Sequence, residues 1–285
     1  VYGQVSTGSV VPPSKVFDYV QSATSIPVKT LPKQQRSTTY QTGTVIKLKR
    51  VTLDADFYHI RFQNSYSSTL DSTGEPVYLL QPSSITKGFE AESNIYITHG
   101  LSAYLNASVG RATYTGNLNV NCTAPCTSAP ISVAAPSGLW VANTPSDTQT
   151  EGVTYQHKAW DLGLFNKRVG TFYQDNGAYH NQATINPFSV TNMFFNYTIR
   201  SGGRFDQSKI RLSFNNLFNQ HSITSESITG TAVTQNIVAN GATYVDPFNT
   251  VGQTPIAAGD NISVLPARSV MLSAFPRDSN SGQCH

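Results

Sequence analysis

Connections in this sequence come in two kinds, and their order limits the fold more than any other feature. About ten segments alternate apolar and polar residues with period two, as a strand with one apolar and one polar face does. The expected segments are 2–9, 39–49, 51–64, 86–97, 101–112, 153–165, 168–174, a hairpin within 189–220, and 264–275. Every second connection is a turn of a few residues, and the rest span roughly 13 to 45 residues. A sandwich or soluble barrel has no reason to sort its loops by end. A membrane barrel does, with short turns on the periplasmic rim and long loops outside.

The alternation is cleanest in 86–97, where Phe89, Ala91, Ile95 and Ile97 oppose Glu90, Glu92, Asn94 and Tyr96. In 51–64, Val51, Leu53, Ala55 and Phe57 share one face and Thr52, Asp54, Asp56 and Tyr58 the other. Beyond Phe57 the apolar positions shift to Ile60 and Phe62, which reads as a bulge or the end of the apolar band. A turn is expected at Asn166-Lys167. In the hairpin, Met193, Phe195, Ile210 and Leu212 form an apolar face across a glycine-rich turn at Ser201–Arg204. No helix is expected.

Composition agrees. Charged residues are 12% of the chain, about half the usual share for a soluble domain. No apolar run reaches the roughly 18–20 residues of a membrane-spanning helix, which says nothing about strands. The net charge of +3 is small, and no basic cluster is interleaved with aromatics, so nucleic acid is not an expected partner. Nucleophile elbows, phosphate loops and zinc signatures are missing, so the expectation is a protein that is not an enzyme, with no cofactor and no metal. Cys122 and Cys126 are close enough to close a small loop disulfide, the preferred reading over metal because no second Cys or His pair stands at zinc spacing. Cys284 is left over in a polar tail.

Ten strands that begin mid-pattern leave two open edges. In a bilayer, each unpaired backbone group costs several kcal/mol. The chain is therefore expected to need further strands, most simply before Val1. Residues 1–275 read as barrel and 276–285 as a polar C-terminal tail.

Several stretches then resemble one family in order along the chain. LSFNNLFNQ, a long loop and LPARSVMLSAF are similar to the closing strands of TonB-dependent outer-membrane receptors. VTLDADFYHIRFQNSY resembles their tyrosine strand, TKGFEAESN their "kGvE-E" strand, and LSAYLNASVGRATYTG the strand after it. VANTPSDT, KRVGTFYQDNG and, at the start, VYGQVSTGSVVPP resemble further segments. The resemblance implies an all-β, antiparallel transmembrane β-barrel of roughly 22 strands, of which this chain would be the C-terminal ten or so. It further implies location in the bacterial outer membrane, in contact with its lipid. An N-terminal plug upstream would couple to the inner-membrane TonB complex. The implied ligand is a small molecule, a ferric siderophore or another scarce nutrient. The sequence departs from the family at its end: members finish on an aromatic residue, whereas Phe275 is followed by PRDSNSGQCH.

On this reading Asp54, Asp56, Glu90, Glu92 and Arg211 face the lumen, as a water-filled wall, pairing with one another's charges, or touching a plug or cationic ligand. Trp140, Tyr155, His157, Tyr173, Tyr179 and His180 are the candidate ligand contacts of the outer loops and vestibule. The competing reading is an aromatic belt at the lipid interface, favoured for Tyr155 and Tyr173, and ordinary surface histidines for His157, His180 and His221. Two other functions compete with active import: a passive porin or adhesin-like barrel, and a secreted soluble β-sandwich binder whose apolar faces pack on each other.

Overall fold

The computed structural model describes residues 1–12, 20–21, 24–25, 33–70, 76–80, 83–116, 137–174, 184–203, 205–227, 237–244 and 261–276. Ten strands form one antiparallel sheet: β1 (Tyr2–Val10), β2 (Gln35–Lys47), β3 (Val51–Gln63), β4 (Ser84–Thr98), β5 (Leu101–Tyr114), β6 (Asp147–His157), β7 (Trp160–Val169), β8 (Phe188–Thr198), β9 (Lys209–Asn215) and β10 (Ser269–Phe275). Spatial order follows chain order. The described residues contain no helix. The two edges, β1 and β10, each have one neighbour, so the sheet is open.

The sorting of connections holds at every strand. One rim carries 48–50, 99–100, 158–159 and 199–208; the other carries 11–34, 64–83, 115–146, 170–187 and 216–268. The tight turns have residues suited to a left-handed backbone, such as Gly100 (φ 86°) after His99 (φ 44°). The longest short-rim turn is tied by Asp206, whose Oδ1 accepts from the Ser201 (2.9 Å) and Gly202 (3.2 Å) amides. Long-rim connections include two-stranded ribbons, among them Ile223–Ser227 with Asn261–Val264.

Register divides the side chains into two faces. On one, Val51, Leu53, Ala55 and Phe57 pair across to Ile95, Ser93, Ala91 and Phe89, and Phe89 pairs with Val109. Farther along it, Val153 meets Leu164, Leu164 meets Met193, and Phe195 meets Leu212, which meets Leu272. Many of these are exposed, Leu272 at 72% and Phe57 at 62%. Among the described residues no second sheet covers this face. A soluble sandwich would bury it; a bilayer would do so at about 1.5–3 kcal/mol per large side chain.

The opposite face is polar, with Asp54, Asp56, Glu90, Glu92, Asn94, Asn192, Asn196, Arg211 and Ser213. Aromatic side chains lie across its strand glycines. Tyr58 reaches over Gly88 and Gly110, with its hydroxyl 2.5 and 2.6 Å from where a Cβ would stand. Phe165 covers Gly152 and Phe194 covers Gly163 in the same way. The ring restores the packing that a bare glycine removes from a strand.

Two expectations are corrected, and one open alternative is decided. The turn between β6 and β7 is at Lys158 (φ 54°) and Ala159, not at Asn166-Lys167. Asn166 and Lys167 instead pair with Glu151 and Thr150 inside the sheet. In this two-residue connection only Lys158 has positive φ, and it does so without glycine or proline to announce it. The last strand starts at Ser269, not 264, because Pro266 cannot donate to a ladder and Asn261–Val264 pairs within the loop. Finally, the register of β3 is continuous past Phe57 on both sides, so the shift to Ile60 and Phe62 marks the end of the apolar band and not a bulge. Cys122, Cys126, Cys284 and the tail beyond 276 lie outside the described residues.

Candidate ligand-facing wall and outer rim

The polar face gathers four carboxylates from two adjacent strands. Asp54 pairs directly with Glu92, and Asp56 with Glu90. Asp56 is 9% exposed; its Oδ2 accepts from the Tyr2 hydroxyl at 3.4 Å, and its Oδ1 is buried without a hydrogen-bond partner. Ser108 Oγ donates to Glu90 Oε1 at 3.3 Å, and Asn94 Nδ2 to Glu92 Oε1 at 3.5 Å. Like charges placed opposite each other across a ladder repel. No cation among the described residues pairs with these four. They form an acidic wall whose charge has no complement among the described residues.

Arg211 is not near enough to be that complement. On β9 it lies over the Phe194 ring, its Cζ 4.6 Å from the centroid, and its Nε donates to Ser213 Oγ at 3.0 Å. Phe194 stacks with Phe165, centroids 6.3 Å apart and planes 16° apart. With Asn192 and Ser273 they line a shallow groove on the polar face. A guanidinium held against a ring is oriented and partly desolvated, so this patch can receive an anionic or aromatic group. Phe165 and Phe194 were missed as site residues. Their signal was Gly152 and Gly163, glycines inside strands that call for a neighbouring ring.

The outer candidates separate into two groups. Trp140 and Tyr173 meet at the long-loop rim, rings 6.1 Å apart. Trp140 Nε1 donates to the Thr144 carbonyl at 2.6 Å, the Asn143 amide to the Tyr173 carbonyl at 2.7 Å, and Gln174 Nε2 to Asn143 Oδ1 at 2.9 Å. Buried Phe172 and Ile185 support the platform from a short ribbon. Tyr155 and His157, by contrast, lie at the short-turn rim, opposite the long loops. Their rings stack at 6.2 Å, on the apolar face, close to the Trp160–Tyr197 pair at 4.7 Å. The displaced turn at 158–159 is what moves them there. Their place is that of an interfacial belt. His221 Nε2 is 3.2 Å from Asn219 Nδ2. Tyr179 and His180 lie outside the described residues. Among the described residues no group of His, Cys, Asp and Glu side chains could hold a metal ion.

Comparison with known proteins agrees with the architecture. Residues 1–217 match the family model described as TonB dependent receptor-like, beta-barrel. A search of curated sequences returns no match. Among solved structures, the ferric yersiniabactin uptake receptor FyuA from Yersinia pestis superposes with a TM-score of 0.63 at 15% identity, over 96% of this chain and 34% of that one. The copper transporter OprC gives 0.61 at 12% identity, over 96% of this chain and 36% of that one. The ferric-catecholate import receptor Fiu from K12 E. coli gives 0.57 at 16% identity, over 96% of this chain and 32% of that one. The chain thus spans about a third of the length of these structures.

Proposed function

The chain belongs to the TonB-dependent receptor-like β-barrel family, and on that premise we propose that it forms part of the wall and the ligand-capturing loops of an energy-coupled importer in the bacterial outer membrane. The observation that carries this reading is the joint sorting of faces and rims. One face is apolar and uncovered, the other polar, and all long connections share one end. A plug and the remaining strands would complete the barrel, and the plug would couple to the inner-membrane TonB complex. Residues 1–275 serve as barrel and 276–285 as a polar tail.

The proposed cargo is a ferric siderophore or a similar scarce chelate, the class that the family resemblance implies. The Trp140–Tyr173 platform would meet it first, and the Phe165–Phe194–Arg211 patch would offer an anion-compatible surface inside. The acidic quartet would face cationic groups of the plug or ligand. The test is uptake of radiolabelled iron from a panel of ferric siderophores, in cells with and without the receptor carrying this chain. Receptor-dependent uptake of at least one chelate is expected, with Trp140→Ala plus Tyr173→Ala lowering it at low concentration. Uptake that never depends on the receptor would remove the iron reading.

A further inference from the structure

On β2–β5 the apolar face carries a row of basic side chains at its long-loop end. At one level across four strands, Tyr40 of β2, His59 of β3, Lys87 of β4 and Arg111 of β5 are direct cross-strand partners. One step nearer the loops stands Arg61, and one step beyond it Arg36 pairs with Gln63. All five basic side chains are exposed. Immediately below them on the same face are Phe57, Phe89 and Val109, the top of the apolar band.

This arrangement is unfavourable by itself. Adjacent strands lie about 4.8 Å apart, and like charges opposite each other destabilise a ladder. None of the five forms an ion pair among the described residues, and Asp147, opposite Val109, is engaged by Arg168. The acids of these same strands, Asp54, Asp56, Glu90 and Glu92, all point to the other face. The row therefore has one sign of charge, sits where apolar surface ends, and has no counter-charge among the described residues. At that level in a bilayer the available anions are lipid headgroups.

We propose that His59, Lys87 and Arg111, with Arg61 and Arg36 above them, form a binding site for the phosphate of a lipid headgroup in the outer leaflet. Arg111 would offer paired N–H donors to phosphate oxygens and Lys87 a point charge, while Phe57, Phe89 and Val109 would lie against the first part of the acyl chains. The inference rests on the membrane-barrel orientation proposed above.

The test uses the folded, detergent-solubilised receptor carrying this chain, with diphosphoryl lipid A, its dephosphorylated form and water-soluble glucosamine 1-phosphate as probes. The wild type is expected to bind diphosphoryl lipid A at least about tenfold more tightly than the dephosphorylated form. The variant K87Q/R111Q is expected to lose that preference, and K167Q, on the polar face, to retain it. If the double variant fails to fold, K87Q and R111Q are measured singly, and each should lower the preference. Equal wild-type affinity for the two lipids would overturn the proposal, as would a preference that survives in the variants. Glucosamine 1-phosphate competing as well as the lipid would overturn it in favour of a soluble anion. A receptor without a heat-modifiable, membrane-inserted form would overturn the barrel reading as well; an inserted receptor without phosphate preference overturns this inference alone.

Discussion

Asn216, at the end of β9, is 4% exposed and has a left-handed backbone (φ 49°). Its amide donates to Asn192 Oδ1 at 2.9 Å, and its Oδ1 accepts from the Gln220 amide at 2.8 Å. Its Nδ2 donates to the carbonyls of Gln220 and Pro266 at 2.9 and 2.8 Å. One side chain thus fastens the start of the longest loop to the residues just before β10. Asn219 adds to the clasp by accepting the Arg268 amide at 2.9 Å. The asparagine-rich run in NNLFNQ is therefore a loop anchor, which explains the motif without any ligand. Asn216→Ala would leave buried backbone groups unpaired and should lower unfolding stability by about 2–3 kcal/mol. Denaturant unfolding of the inserted receptor, with Asn215→Ala as the exposed comparison, measures it.

At the scale of strands, what the sequence made legible was the two-faced pattern, because period two is set by the backbone and repeats over many residues. Met193, Phe195, Ile210 and Leu212 share a face as expected. Turn positions were read unevenly: His99-Gly100 was found, and the connection near residue 50 was placed without any glycine to mark it, while Lys158-Ala159 was missed and Asn166-Lys167 wrongly preferred. That single shift of register placed Tyr155 and His157 at the wrong rim. The ring cluster on the polar face was not legible either, because whether Phe194 covers Gly163 depends on pairing between strands and not on either strand's own pattern. The Leu212 position gives the element-scale prediction. Leu212→Lys should cost about 2–4 kcal/mol in lipid, whereas Asn215→Lys, exposed on the polar face of the same strand, should change stability by at most about 0.5 kcal/mol. Urea titration of the two variants in vesicles reads the difference, and similar costs would remove the assignment of faces.

For the whole molecule, function follows from what each surface is left to meet. Among the described residues the apolar face has no protein cover, the polar face has an acidic quartet without paired cations and a ring-held arginine, and the long rim has a braced aromatic platform. The open edges at β1 and β10 leave backbone groups unpaired among the described residues; in the proposed membrane location such groups are not tolerated, and the sheet would there form part of a larger closed wall. The family match and the fold agree with a β-barrel wall.

The measurement closest to the centre of this account is accessibility scanning of β9 in the membrane-inserted receptor. Spin labels at single introduced cysteines from 210 to 215, in a background with Cys122, Cys126 and Cys284 replaced, are probed with oxygen and with a water-soluble paramagnetic complex. Labels at 210, 212 and 214 should collide preferentially with oxygen in lipid, and those at 211, 213 and 215 with the aqueous reagent. Uniform aqueous access along the strand, or alternation with the opposite phase, would contradict a lipid-facing wall.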